Sequence, residues 1–350
     1  MERARHLTPF VWCLGAAALF GASPPIAKAL LTRVHPIQLA GLLYLGAAAA
    51  VLPFSLKGGS RVRLRQRRHL AYLAGAVLTG GVAGPLLLVA ALAASRSASV
   101  SLWLNLEAVL TAILAWAFFR EHLGRRALVA VLLVVAAGAI LAAPDGVAGA
   151  RAAALVLVAC AAWGVDNNLT ALIDGVTPSQ CTLIKGAIAG GINFGVGLAV
   201  AGEPPPLDAA LIALAVGGLG YGLSISLYIR GAQELGATRA QLVFASAPLA
   251  GLAIAWTALA EPVLAAQLIA AGLVAIGIAL LAKSHHDHEH RHEAMTHSHS
   301  HRHDDDHHDH EHLGIPVATR HTHEHAHATR VHRHPHVPDL HHRHRHRRVL

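Results

Sequence analysis

The sequence predicts an all-α integral membrane protein: ten transmembrane helices in two inverted five-helix repeats, followed by a disordered histidine-rich C-terminal tail. Three observations predict this fold class. Hydrophobic residues make up 54% of the 350 residues and charged residues only 14%, whereas soluble chains carry about 25% charge. The chain contains ten apolar runs of near-membrane length. Of its 28 histidines, 24 lie in the last 67 residues.

The apolar runs set the order of the elements. A helix crosses the bilayer core in about 20 residues. Lipid cannot form hydrogen bonds with unpaired backbone N–H and C=O groups. The runs also lack the alternation of apolar and polar residues that barrel strands show, so each run is predicted to be a helix. The first run is too long for a signal peptide and nine more follow it. In chain order the runs cover residues 8–31, 37–56, 70–94, 97–118, 126–143, 152–173, 178–201, 208–230, 237–259 and 264–282.

Glycine and proline interrupt several of these runs, notably between Gly80 and Pro85 and between Gly217 and Gly222. Such breaks are tolerated in membranes where neighbouring helices satisfy the freed backbone groups. The pairs Gly186-x-x-x-Gly190 and Gly191-x-x-x-Gly195 are typical of closely packed helices, and we predict that both pairs are packing surfaces.

Lysine and arginine distribution predicts the orientation. With a cytoplasmic N-terminus, inside segments hold 14 of these cations and outside segments hold 3. This bias predicts a multi-pass protein of the bacterial inner membrane with both termini in the cytoplasm. The inside set is Arg3, Arg5, Lys57, Arg61, Arg63, Arg65, Arg67, Arg68, Arg120, Arg125, Arg126, Arg230, Arg239 and Lys283; the outside set is Arg33, Arg96 and Arg151.

A repeat is visible at an offset of 140 residues, where Trp116-x-x-x-x-Glu121 matches Trp256-x-x-x-x-Glu261. The repeat starts also match: Phe20-Gly21 and Trp163-Gly164 each precede a similar Pro-x-Gln segment. The copies are predicted to cover residues 8–143 and 152–283. Because five helices is an odd number, the copies insert with opposite orientation. Inverted repeats are typical of secondary transporters, whose substrate site lies between the halves.

Over about residues 8–283, this sequence pattern resembles that of the drug/metabolite transporter superfamily, EamA type. The resemblance rests on the five-plus-five plan, on the aromatic-glycine pair at each repeat start and on the helix endings at Glu121 and Glu261. It implies carrier-type transport of small solutes, mostly export. Helix 4 of that family usually reads Leu-Glu-Pro, whereas this chain reads Leu-Glu107-Ala108.

Charges inside membrane spans are costly and usually face a cavity or a partner. Glu107 lies about 15 Å along helix 4, and a carboxyl held away from water binds a proton more readily. Asp166 and Lys185 lie at similar depth, so they are candidates for an ion pair. Lys28 lies near the outer end of helix 1 and is expected to reach towards the interface.

Further polar and aromatic residues complete the predicted substrate and proton pathway. Each also has a structural interpretation, as a helix-bridging or packing residue. Glu121 and Glu261, at helix ends, are interpreted as structural. The pathway set is Glu107, Asp166, Asn167, Asn168, Lys185, Asn193, Tyr221 and Trp103.

The tail, residues 284–350, has too few large apolar residues to form a core, so it is predicted to be disordered. Imidazole binds Ni, Zn, Co and Cu ions, and the His-x-His spacing predicts several loosely defined sites. The predicted ligands are His285, His286, His288, His290, His292, His297, His299, His301, His303, His307, His308, His310, His312, His321, His323, His325 and His327.

The sequence therefore predicts a carrier rather than an enzyme: proton-coupled export of a small metabolite or amino acid, with a metal-binding cytoplasmic tail. No cofactor is required and no nucleic-acid-binding module is visible. The three cysteines lie in apolar runs and predict no disulfide framework. Two alternatives stay open. One is a divalent-metal exporter fed by the tail. The other is a membrane-anchored metal-binding protein without transport, which would not explain the duplicated plan. The oligomeric state stays open.

Overall fold

A computed structural model of the protein describes its backbone from residue 2 to residue 336, with gaps. The body between residues 2 and 282 is helical wherever it is described, apart from short connections. This agrees with the predicted all-α class. The described residues are 2–57, 67–107, 109–110, 113–114, 125–143, 146–173, 176–235, 240, 243–282, 286–292, 295–301, 321–327 and 330–336.

The first half has six α-helices and one π-helical segment with described bounds, and residues 106–107, 109–110 and 113–114 are also helical. The third helix, the π segment and the fourth helix run on from each other as one rod. These elements are α1 (Glu2–Leu30), α2 (Pro36–Lys57), α3 (Arg67–Ala76), π1 (Val77–Ala83), α4 (Gly84–Ala94), α5 (Ser97–Trp103) and α6 (Arg125–Ala142).

The described part of the second half repeats this plan, including a π segment inside a continuous rod. Its elements are α7 (Gly146–Ala171), α8 (Pro178–Ala201), α9 (Leu207–Gly217), π2 (Gly218–Leu223), α10 (Ser224–Leu235), α11 (Ala247–Thr257) and α12 (Ala265–Ala282).

Six of these rods are long and apolar enough to cross a membrane, which agrees with a multi-pass membrane protein. Shorter apolar helices lie at Leu128–Ala142, Ala247–Thr257 and Ala265–Leu280. The predicted spans 97–118 and 237–259 are described only in part. The six long rods are Thr8–Leu30, Pro36–Leu56, Arg67–Ala94, Gly146–Thr170, Pro178–Ala201 and Leu207–Gly231.

The π1 segment has a local cause. An α-helical N–H of Gly84 would donate to the carbonyl of Gly80, but here it donates to Thr79. The next residue, Pro85, has no N–H to offer the carbonyl of Gly81. The carbonyls of Gly80 and Gly81 are therefore free for donors from other helices.

The π2 segment shifts in the same way, because the N–H of Ser224 donates to Leu219 rather than to Gly220. Ser224 and Leu219 lie 140 residues after Gly84 and Thr79, which is the offset of the sequence repeat.

Helix α2 lies at the centre of the bundle and packs along α8, α9 and π2. Glycines on α8 allow this close approach: a Cβ at Gly186 or Gly190 would collide with the backbone of α2. The prediction that Gly186-x-x-x-Gly190 is a packing surface is confirmed. The same prediction for Gly191 and Gly195 is wrong, because a Cβ at either position meets nothing within 4 Å. Helical periodicity places these two glycines on the opposite side of α8.

The tail differs from the disordered chain that its composition predicts. Its described backbone forms four strands, β1 (His286–His292), β2 (Met295–His301), β3 (His321–His327) and β4 (Arg330–His336). Strand β1 pairs antiparallel with β4, and β2 with β3. Such ladders satisfy backbone groups without an apolar core, so a lack of large apolar residues does not prevent strand pairing.

Candidate functional site

The carbonyls freed by π1 are the centre of a polar network inside the membrane body. The hydroxyl of Tyr44, on α2, donates to the carbonyl of Gly80 at 2.6 Å. The indole N–H of Trp163, on α7, donates to the same carbonyl at 2.9 Å. The amide of Asn193, on α8, contacts the carbonyl of Gly81 at 3.4 Å. Thus α2, α7 and α8 all meet the π turn at polar atoms.

Asp166 and Lys185 form a buried ion pair beside this network. The ammonium Nζ of Lys185 lies 2.9 and 2.8 Å from the two carboxylate oxygens of Asp166. The hydroxyl of Thr170 donates to Asp166 at 2.9 Å. Gly80 leaves room for the carboxylate, because a Cβ there would collide with it. The pairing expected from the depths of the two charges is present in the structure.

Glu107 lies next to the pair but has a neutral partner. The side-chain amide of Asn167 donates to its Oε1 at 3.0 Å. Asn167 is exposed and Glu107 is partly exposed, although both lie well inside their predicted spans. Helix α5 ends at Trp103 and Leu104–Asn105 form a turn. The chain therefore breaks just before Glu107 although Ala108 replaces the proline typical of the family.

The other predicted pathway residues divide between the network and the packed interior. Tyr221, on π2, contacts the rings of Phe20 and Tyr44, with centroids 5.6 and 6.1 Å apart. Trp103 is fully buried and donates its indole N–H to the carbonyl of Gly138 at 3.1 Å. The amide of Asn168 donates back to its own helix. These contacts favour the packing interpretation for Trp103 and Asn168.

Sequence reasoning missed Tyr44 and Trp163 as members of the site. In the sequence, Trp163 stands out only as part of the aromatic-glycine pair at the start of the second repeat. The available signal for Tyr44 was its position as the one tyrosine in the apolar run 37–56. Neither residue could be assigned without the π turn, because their shared acceptor is a backbone carbonyl that an ordinary helix would occupy.

Among the residues that the structure describes, the intramembrane charges near the site do not balance. Glu107 and Asp166 carry two carboxyl groups, and Lys185 supplies one ammonium. Since Lys185 pairs with Asp166, the charge of an ionised Glu107 is left to an amide. A carboxylate inside a membrane span is costly when no cation lies beside it, so this position is suited to take up a proton or a cationic group.

Lys28 and Glu261 have structural contacts at the end of the bundle where α1 finishes. The ammonium of Lys28 donates to the backbone carbonyl of Leu92. Glu261 accepts bonds from Ser97 and Ala98 at the start of α5, as its structural interpretation predicts. Glu121 lies outside the described residues. In the loop after α1, the Arg33 guanidinium donates to the Asp208 carboxylate, and this hydrogen bond raises the pKa of Arg33.

The predicted metal ligands of the tail are described only as backbone. Opposed histidines in the ladders include His288 with His334 and His299 with His323. Within the part of the chain whose side chains are described, no three His, Cys, Asp or Glu residues group as a metal site. His285, His303, His307, His308, His310 and His312 lie outside the described residues.

Comparison with known proteins identifies the family. The EamA-like transporter family matches twice, at residues 7–143 and 150–283. An uncharacterized transporter of Methanothermobacter thermautotrophicus is 24% identical over 271 residues, covering 71% of this chain and 78% of that protein. A protein solved by crystallography shares the fold with a TM-score of 0.56 at 18% identity, covering 80% of this chain and 97% of its own. With matches to both halves of its helical body, the chain belongs to the EamA-like transporter family.

Proposed function

We propose that this membrane transporter is a secondary carrier that exports a small polar metabolite or amino acid in exchange for protons. The observation that carries the proposal is the charge imbalance at Glu107, whose partner is the neutral amide of Asn167. A carboxyl that alternates between a proton and a solute couples the two movements, because each displaces the other. The exposed amide of Asn167 offers a polar contact for the solute.

The proposed architecture is ten helices in two inverted repeats, with the site between the halves. The two family matches support it, as do the π segments at corresponding positions, Val77–Ala83 and Gly218–Leu223. A turn before Glu107 at residues 104–105 also has a counterpart at residues 245–246, before Pro248. A carrier of this plan exposes its site to each side in turn.

A growth screen tests the proposed export. A host that overproduces the chain is grown on toxic amino acids, metabolite analogues and divalent metals, beside a host producing Glu107→Gln at equal membrane level. We expect resistance to at least one organic solute that the variant does not confer. Resistance to metals alone would instead support the metal-exporter alternative.

We expect both termini in the cytoplasm of the bacterial inner membrane, because 14 lysines and arginines lie in the inside segments against 3 outside. Reporter fusions after Lys283 and within residues 144–150 test this orientation. A cytoplasm-active reporter is expected after Lys283 and a periplasm-active one in the loop. The reverse pattern would contradict the proposed topology.

We also propose that the tail binds divalent transition metal and modulates transport without being the route of the solute. Removal of all residues after Lys283 deletes 24 histidines and leaves every predicted span intact. The truncated carrier is expected to insert and to move its organic solute, but to lose any response to added nickel or zinc. If metal were the solute, truncation would weaken metal resistance, and less so at saturating metal.

Metal binding by the tail is expected to weaken as the pH falls through about 6.5, because protons compete for the imidazole nitrogens. Calorimetric titration of the full chain and of the truncated chain with nickel, at pH 7.5 and 5.5, measures this. Equal heats for both chains at the higher pH would contradict metal binding by the tail.

A further inference from the structure

Polar bridges between the two halves gather at the end of the bundle where α1 finishes, here called the Leu30 end. The guanidinium of Arg33 forms a two-point ion pair with Asp208 at 2.6 and 2.8 Å. The amide of Gln38 donates to the carbonyl of Glu203 at 2.7 Å. Glu261 bridges to the start of α5. In each bridge one partner belongs to the first half and the other to the second.

The bridge made by Glu261 is the most extensive of the three. One carboxylate oxygen accepts the N–H of Ser97 at 2.9 Å and its hydroxyl at 2.6 Å, and the other accepts the N–H of Ala98 at 3.1 Å. Helix N-terminal N–H groups lack partners within their own helix and favour a negative charge. Glu261 therefore caps α5 from the opposite half of the molecule.

The loop that carries Glu261 is held in shape before it meets α5. Ala260 has a φ of +51°, the left-handed region that alanine seldom adopts, and this turns the chain towards α5. The N–H of Glu261 donates to the carbonyl of Ala255 at 3.1 Å. The buried Gln267 accepts from the indole of Trp256 at 2.9 Å and from the N–H of Leu264 at 3.1 Å. A loop fixed in this way can release α5 without losing its own fold.

We propose that Glu261 forms a latch that holds the Leu30 end of the carrier closed. The inference rests on the proposed carrier function, which requires each end to open in turn. The latch joins α5, the element that precedes Glu107, to the opposite half. Release of the α5 cap would let the start of α5 move away from the loop of Glu261 and open a route towards Glu107.

Spin labels across the latch test the proposal. Ala94 and Val263 are exposed and flank the Glu261 bridge. Spin labels attached to Ala94→Cys and Val263→Cys therefore report its opening as a label-to-label distance measured by electron–electron double resonance. The parent chain, whose three cysteines are buried, gives the background. We expect one short distance in the double-cysteine chain. In Glu261→Ala we expect a second population of molecules at a longer label-to-label distance, at the expense of the short-distance population. Glu261→Gln should move a smaller fraction of molecules to the longer distance.

A matched control separates the latch from a general effect of charge. Glu203→Ala removes an exposed carboxylate from the same end, but the Gln38 bridge uses the backbone carbonyl of Glu203. This variant is expected to keep the single short distance. Ser97→Ala removes only the hydroxyl donor to Glu261, so it tests the latch even if Glu261→Ala fails to fold. We expect it to open the Leu30 end in part.

An unchanged short distance in both Glu261 variants would overturn the latch, and so would equal opening in Glu203→Ala. Because the readout is a distance, it does not depend on which solute moves. If the chain opens on release of Glu261 but moves no solute, the proposed transport function would be contradicted and the proposed latch would be supported.

Discussion

Glu107→Gln is expected to reduce solute export to the background of a host without the carrier, while its membrane level stays normal. Glutamine keeps the size of the side chain and can still accept the bond from Asn167, which lies at 3.0 Å in the wild type. The fold should therefore lose no more than about 1 kcal/mol. What the variant loses is the exchange of a proton. Export of the solute found in the growth screen, measured with equal amounts of membrane protein, gives the result.

Glu203→Gln is the matched control, because it neutralises an exposed glutamate in a connection between α8 and α9. This control is expected to export at the wild-type rate. If Glu107→Gln exported as well as Glu203→Gln, Glu107 would be a structural residue and the proposed coupling would be wrong.

Breaking the pair between Asp166 and Lys185 is expected to destabilise the protein more than removing both charges. A lone buried charge is the costly species, so Asp166→Asn or Lys185→Met should each cost about 3–5 kcal/mol. In the double variant neither charge is left unpaired, and its stability should return close to the wild type. The side chains are 7% and 18% exposed, so solvent screens the pair little. Thermal unfolding of the purified carrier in detergent measures these differences.

The exposed pair of Arg33 and Asp208 provides the comparison, since its side chains are 47% and 61% exposed. Arg33→Gln should cost no more than about 1 kcal/mol. Additive losses in the Asp166 and Lys185 double variant would show that the two residues stabilise the fold separately rather than as a pair.

The six long apolar helices were the most predictable feature, because an apolar run of about 20 residues forms a helix in a bilayer. The ion pair followed from similar depth on neighbouring helices. The runs of glycine from Gly80 and from Gly217 marked the irregular helix segments, but not their π form. That form depends on which carbonyl each N–H selects, and a run of glycines does not specify this choice.

Composition and spacing do not fix the direction in which a side chain points. Trp103 was expected beside the pathway but points into the packed interior, and Asn168 bonds to its own helix. Gly191 and Gly195 have the spacing of a packing surface but lie on the open side of α8. A spacing of four residues predicts that two side chains share a helix face, but not which neighbour that face meets.

Solute and proton movement in proteoliposomes is the most direct test of the proposed exchange. Vesicles containing the purified carrier are given an acidic interior and supplied with the labelled solute found in the growth screen. We expect the solute to accumulate as the pH gradient falls, and both movements to be absent with Glu107→Gln. Solute flux that is equal with and without the gradient, and equal in Glu107→Gln, would contradict proton-coupled transport through this site.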